Sequence, residues 1–217
     1  MALFALGIAL AAVAPAASGS PPLPLGRTIY VVQPDPRLCP SPLCGGYWVA
    51  RANHSRTRCH DGLFRPRCYV ARAVAWPRGG SLPRGVPADG LAKAFLGYEE
   101  IDGVGRLGVL IVAEAWKPAS QAPAIGSYFR IRDTGVRCIR APCFSFRAWR
   151  VNRAYSVTVS DLDLSASGAD PASLRRAEAA LGSTEGMLAA GSVSRTPEGG
   201  RILVASQVFL REPPPRA

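Results

Sequence analysis

The chain has 217 residues and 48% hydrophobic content, enough to bury a real core as one larger domain or two small ones. Its 22 glycines and 20 prolines suit a turn-rich β protein and disfavour a helical bundle. The formal net charge is +11, yet of 26 basic residues only Lys93 and Lys117 are lysines, a skew that a GC-rich coding sequence also produces. Basicity alone therefore does not single out nucleic acid as a partner.

In chain order, residues 2 to 17, "ALFALGIALAAVAPAA", come first. They form an uncharged apolar run too short to span a bilayer. Ala14-Pro15-Ala16 fits an A-x-A cleavage site, so residues 1 to 18 are predicted to be a secretory signal peptide, although no Lys or Arg precedes Arg27. No cysteine lies near that site, which argues against a lipid anchor, and no other segment reaches transmembrane length. The expected location is periplasmic or extracellular. In such an oxidising compartment an even number of cysteines, here six, implies disulfides before metal or catalysis.

Two β units follow, over residues 26 to 117 and 125 to 211, joined by the linker "PASQAPA" at 118 to 124. The first opens with the strand-like "RTIYVVQ" (27 to 33), then a loop bracketed by Cys39 and Cys44 and a second strand. A third strand, "CYVARAVAW" (68 to 76), leads to a Pro/Gly connection (77 to 90). The strands "AKAFLGYEEID" and "GRLGVLIVAEAW" close the unit around a "DGVG" turn. The second unit has the same order: "SYFRIR" (127 to 132), a Cys138/Cys143 loop, "YSVTVSDLDL" (155 to 164), "GMLAAGSVSR" and "GRILVASQVFL". Its connection, "DPASLRRAEAALG" (170 to 182), is predicted to be a helix, with Asp170 at the N-cap, Pro171 at N1 and Gly182 past the end. Residues 212 to 217 form a disordered tail.

The spacings of Cys39, Cys44 and Asn53 equal those of Cys138, Cys143 and Asn152, and an ordered series of such matches argues for an internal duplication. The predicted fold is mainly β: two small five-stranded units, each an OB-like barrel or a sandwich, with one short helix in the second.

Cys39, Cys44, Cys59 and Cys68 would supply four thiolates to a structural zinc. The second unit has only two cysteines and no histidine, so the repeated feature is a two-sulfur one. The expected pairs are Cys39–Cys44, Cys59–Cys68 and Cys138–Cys143, with no metal and no cofactor. A redox centre is disfavoured, because thioredoxin-like sites use Cys-x-x-Cys beside a βαβ pattern.

Charge is concentrated. Residues 27 to 72 hold eight arginines against Asp35 and Asp61, and residues 118 to 153 hold seven against Asp133. Residues 73 to 117 balance at zero and residues 154 to 217 at −1. Arginines interleaved with aromatics suit polyanions. Arg140, Arg147, Arg150, Arg153, Trp149 and Trp48 are the candidate binding residues, with anionic polysaccharide or an envelope or extracellular protein as partner.

Two other functions compete. In "CIRAPC", Arg140 stands two residues after the first cysteine, as in disulfide-looped inhibitors of trypsin-like proteases, whereas the first unit has Ser41 there. "CHDG" (59 to 62) places Cys, His and Asp together as in a Cys/His hydrolase, but sequence neighbours seldom share triad geometry. No G-x-S-x-G, H-E-x-x-H or phosphate loop occurs, so no catalytic residue and no enzyme activity are expected.

"DPRLCPSPLCGGYWV" (35 to 49), "TRCHDG" (57 to 62) and "CYVA" (68 to 71) resemble a family of exported bacterial proteins with a D-P-R-x-C-x4-C-G-G-Y signature, known only as a domain of unknown function. The resemblance implies secretion and association with the envelope. It implies no activity, cofactor or catalytic residue.

Overall fold

The computed structural model describes residues 28–76, 82 and 85–213; the predicted signal peptide and most of the first unit's Pro/Gly connection lie outside them. The chain is β-rich, with one short helix. The first half contains β1 (Thr28–Pro34), β2 (Tyr47–Arg51), a small hairpin of β3 (Thr57–Arg58) and β4 (Phe64–Arg65), then β5 (Cys68–Val70), β6 (Arg72–Ala75), β7 (Gly90–Ile101) and β8 (Gly105–Pro118). The second half contains β9 (Ser127–Asp133), β10 (Phe146–Arg150), β11 (Ser156–Val159), β12 (Asp161–Asp163), helix α1 (Pro171–Ala179), β13 (Met187–Arg195) and β14 (Arg201–Arg211).

The strand order is β11-β10-β9-β13-β14-β8-β7-β1-β2-β5, which reads the same from both ends once the halves are matched. In the first half β1 pairs antiparallel with β2 and β7, β2 with β5, and β7 with β8. β6 then pairs parallel with β8, so the circuit of strands returns on itself. The second half repeats this, β12 lying parallel to β14. Each third strand, expected as one continuous run, is broken where it changes partner. The break falls at Ala71, whose N–H goes to Gly108 O at 2.8 Å, and at Ser160, whose N–H goes to Arg201 O at 2.7 Å. Each half also bulges at matching points, between Lys93 and Ala94 and between Ala190 and Gly191.

Alternation decides what lies inside. Tyr30, Val32, Val49, Val70, Ala92, Ala94 and Leu110 fill one core, around the Cys59–Cys68 bridge. Phe129, Ile131, Ala148, Val159, Met187, Leu203 and Ala205 fill the other. Helix α1 covers the second core with Leu174 and Ala177. As the sequence suggests, Asp170 caps it, accepting from Ala172 N at 2.9 Å and Ser173 N at 3.0 Å.

A third cluster joins the halves: Ile29, Ala52, Leu91 and Trp116 from one, Val151, Leu188, Ala190 and Phe209 from the other. The matched asparagines sit here, both with left-handed backbone (φ 61° at Asn53, 58° at Asn152). Asn53 accepts from Tyr128 N at 2.9 Å and donates to Tyr128 O at 2.8 Å and Val151 O at 2.9 Å. Asn152 does the same in reverse, accepting from Ile29 N at 2.9 Å and donating to Ile29 O at 2.7 Å and Ala52 O at 3.0 Å. The next residue completes each clasp, His54 donating to Asn152 O at 2.9 Å and Arg153 to Asn53 O at 3.0 Å.

The linker is strapped down rather than free. Buried Gln207 accepts from Ala119 N at 3.2 Å and donates to Ser120 O at 3.1 Å and Ala122 O at 2.6 Å. At the start of the predicted tail, Glu212 N donates to Ala115 O at 2.9 Å.

Candidate functional site: the outer face of β9, β10 and β11

All six cysteines are paired as the spacing predicts, Cys39–Cys44, Cys59–Cys68 and Cys138–Cys143. Each small ring lies between the first and second strands of its half, yet the two meet different surfaces.

In the first half the ring's base folds back on the sheet. Asp35, whose side chain has no solvent-exposed surface, accepts from Arg37 Nε at 2.9 Å and Nη2 at 2.8 Å and from the Trp48 indole N–H at 3.1 Å. The hydrogen bonds from Arg37 hold the Asp35 carboxyl down at about 2. Trp48 and Tyr69 face each other across β2 and β5 with ring centroids 5.6 Å apart, and Arg37 lies 5.0 Å from both rings. The Tyr69 hydroxyl donates to Pro42 O at 2.8 Å, so the loop seals this face.

In the second half the matching face is bare. Arg130 and Arg132 alternate with buried Phe129 and Ile131 on β9 and so point outward. Across the register, Trp149 stands opposite Arg130 and Arg147 opposite Arg132. Arg147 lies 5.7 Å from the Trp149 ring. No carboxylate among the described residues pairs with Arg130, Arg132 or Arg147. The ring stands off this face. Residues 134 to 141 are all exposed, Ile139 fully, and the loop is braced at its base by Arg137 against Asp133, 2.6 Å apart. The hydrogen bond from Arg137 holds the Asp133 carboxyl at about 2.

Of the candidates read from sequence, Arg147 and Trp149 share this face and Arg140 is exposed in the ring. Arg150 donates to Ser127 Oγ at 3.0 Å and lies 6.0 Å from the Tyr155 ring. Arg153 belongs to the seam, and Trp48 is held under Arg37 in the other half. Of the interleaved aromatics, Tyr47 and Phe146 pack against the cores. Arg130 and Arg132 were missed; the alternation in "SYFRIR" contains the signal once β9 is paired with β10. The Cys59, His60 and Asp61 group is not a triad, because Cys59 is bonded to Cys68 and Asp61 is paired with Arg65 at 2.6 Å.

Residues 28–215 match the family described as "Domain of unknown function (DUF6748)". The chain belongs to that family, and the match runs through both halves. Comparison with curated proteins and with solved structures returned no match.

Proposed function

We propose that this chain is an exported, non-catalytic binding module of the bacterial envelope that holds an anionic polysaccharide on the outer face of β9, β10 and β11. Each half is an OB-like barrel, and the chain is a duplication of that unit. The strand circuit of both halves and, in the second, the helix between the third and fourth strands support this assignment. In such barrels the second and third strands carry oligosaccharide or oligonucleotide ligands, a position held here by β10 and β11.

The observation that carries the proposal is the grouping of Arg130, Arg132, Arg147 and Trp149 on one strand pair without carboxylate partners. Unpaired guanidiniums beside an indole offer charge-assisted hydrogen bonds to an anion and a stacking surface to a ring. Export rests on the N-terminal apolar run and agrees with three disulfides.

The test is binding to immobilised polygalacturonate over a salt series. Replacing Arg132 and Arg147 with serine should weaken binding at least about tenfold and flatten the slope of log affinity against log salt by about two. Replacing Arg175 and Arg195, exposed cations elsewhere, should leave both nearly unchanged. Equal effects from the two pairs would overturn the assignment.

A second reading, inhibition of a trypsin-like protease by the Cys138–Cys143 ring, is supported by the exposure of Ile139 and Arg140. Full trypsin activity in the presence of excess wild-type chain removes it.

A further inference from the structure

Where the open face meets the seam there is a cleft of about 320 Å³. Arg130, Arg132 and Trp149 form one side, Ile29 and Val151 supply apolar wall, and exposed Thr184 stands at its rim. Ile29 comes from the first half, so the cleft exists only because the two halves are clasped together. Asn152 also borders it, but its amide is fully engaged with Ile29 and Ala52 and therefore fixes the wall rather than reaching for a ligand.

Arg130 differs. Its Nε is buried and has no hydrogen-bond partner. With no protein acceptor on that nitrogen and no carboxylate paired with it among the described residues, the Arg130 guanidinium is uncommitted and is left for an oxyanion entering the cleft. Arg132, two residues along the same strand, places a second guanidinium on the same side. Trp149, paired with Arg130 in register, offers a ring face beside both. The volume lies at the small end of ligand pockets, fitting one sugar ring and not a chain segment.

We propose that this cleft is a subsite for a single anionic pyranose, a sugar ring bearing a carboxylate. The carboxylate sits on Arg130 and Arg132 and the ring lies against Trp149, with Ile29 and Val151 excluding water behind it. The inference deepens the proposed function and rests on the same face. It adds that the module grips one acidic residue of its polymer in a pocket and is not held by diffuse charge alone.

The experiment is calorimetric titration of the full chain with glucuronate, with glucose and acetate as separate arms, beside the polygalacturonate assay. Glucuronate should bind saturably at one site, and glucose and acetate at least about tenfold more weakly, since each lacks either the anion or the ring. Thr184→Trp, which fills the cleft from an exposed position, should abolish glucuronate binding while polymer is still retained at low salt. Arg175→Ser, at an exposed cation on helix α1, should leave glucuronate binding unchanged. A thermal melt of each variant separates lost binding from lost fold. Polymer binding without glucuronate binding by a folded wild type would overturn the cleft and leave the proposed function standing. Glucuronate binding without polymer binding would do the reverse. Glucose or acetate binding as well as glucuronate, or glucuronate binding unchanged in Thr184→Trp, would also overturn the subsite.

Discussion

The two cysteine rings have the same spacing and the same place between first and second strands, but one is folded down and the other stands away. The difference lies in what each ring meets. Below the first, Trp48 and Tyr69 form an aromatic pair on which Arg37 rests, and Asp35 fixes that arginine from beneath. In the second half the matching strand pair is Arg147 and Thr158, and the positions matching Asp35 and Arg37 are Thr134 and Val136. A loop without its arginine, beside a sheet without its aromatics, does not fold down over that strand pair. One face is thereby covered by its own loop and the other is left open, as the proposed binding face requires.

The largest asymmetry should appear on breaking disulfides. Cys59 and Cys68 are 5% and 2% exposed and lie inside the first core, and the second half has no counterpart. Converting both to serine places two hydroxyls in an apolar site and frees a loop, so unfolding free energy should fall by about 3–5 kcal/mol. Converting Cys138 and Cys143 releases only a short exposed ring, for about 2 kcal/mol in the chain-entropy model. Chemical denaturation of both double variants measures the contrast, and equal losses would mean that burial of the first bridge contributes little.

The seam tests the likeness between the halves. Asn53→Ala and Asn152→Ala each remove one acceptor and two donations, leave a backbone N–H without its partner, and place alanine at positive φ. Each should cost about 2–4 kcal/mol. Because the two clasps are mirror arrangements, the losses should agree within about 1 kcal/mol. A large loss from one and none from the other would show that a single clasp carries the seam.

Much of this fold is legible in the sequence because alternation and turn residues are local signals. The β-rich class, the helix at 170 to 182 and the disulfide pairs follow from such patterns. The seam is not legible in the same way. Asn53 and Asn152 stand out by spacing, but nothing local says that each reaches across to the other half's first strand. The third strands read as continuous because a change of partner at Ala71 or Ser160 leaves no mark on β propensity. The candidate site was half legible for a similar reason. Arg147 and Trp149 lie in the arginine–aromatic run, whereas Arg130 and Arg132 join them only through the register of β9 on β10 across the cysteine loop, which composition does not fix. The β3–β4 hairpin, built from an arginine-rich stretch, gave no strand signal at all.

The smallest expected effect is in acid, and it separates the two braces. Asp35 and Asp133 both titrate near 2 in the folded chain, against a usual value of 3.8, each because an arginine hydrogen-bonds its carboxylate. A depressed carboxyl pKa contributes stability that is present above about pH 4 and is lost as pH falls through 2. Only the first brace touches an indole, through the Trp48 N–H to Asp35 at 3.1 Å. Trp48 fluorescence should therefore change between about pH 3 and 1, with a midpoint near 2. Asp35→Asn should remove that transition, since the amide cannot titrate, while Asp133→Asn should leave it in place. A midpoint near 4 in the wild type would show that Arg37 does not hold the carboxylate, and the sealed face of the first half would then need another explanation.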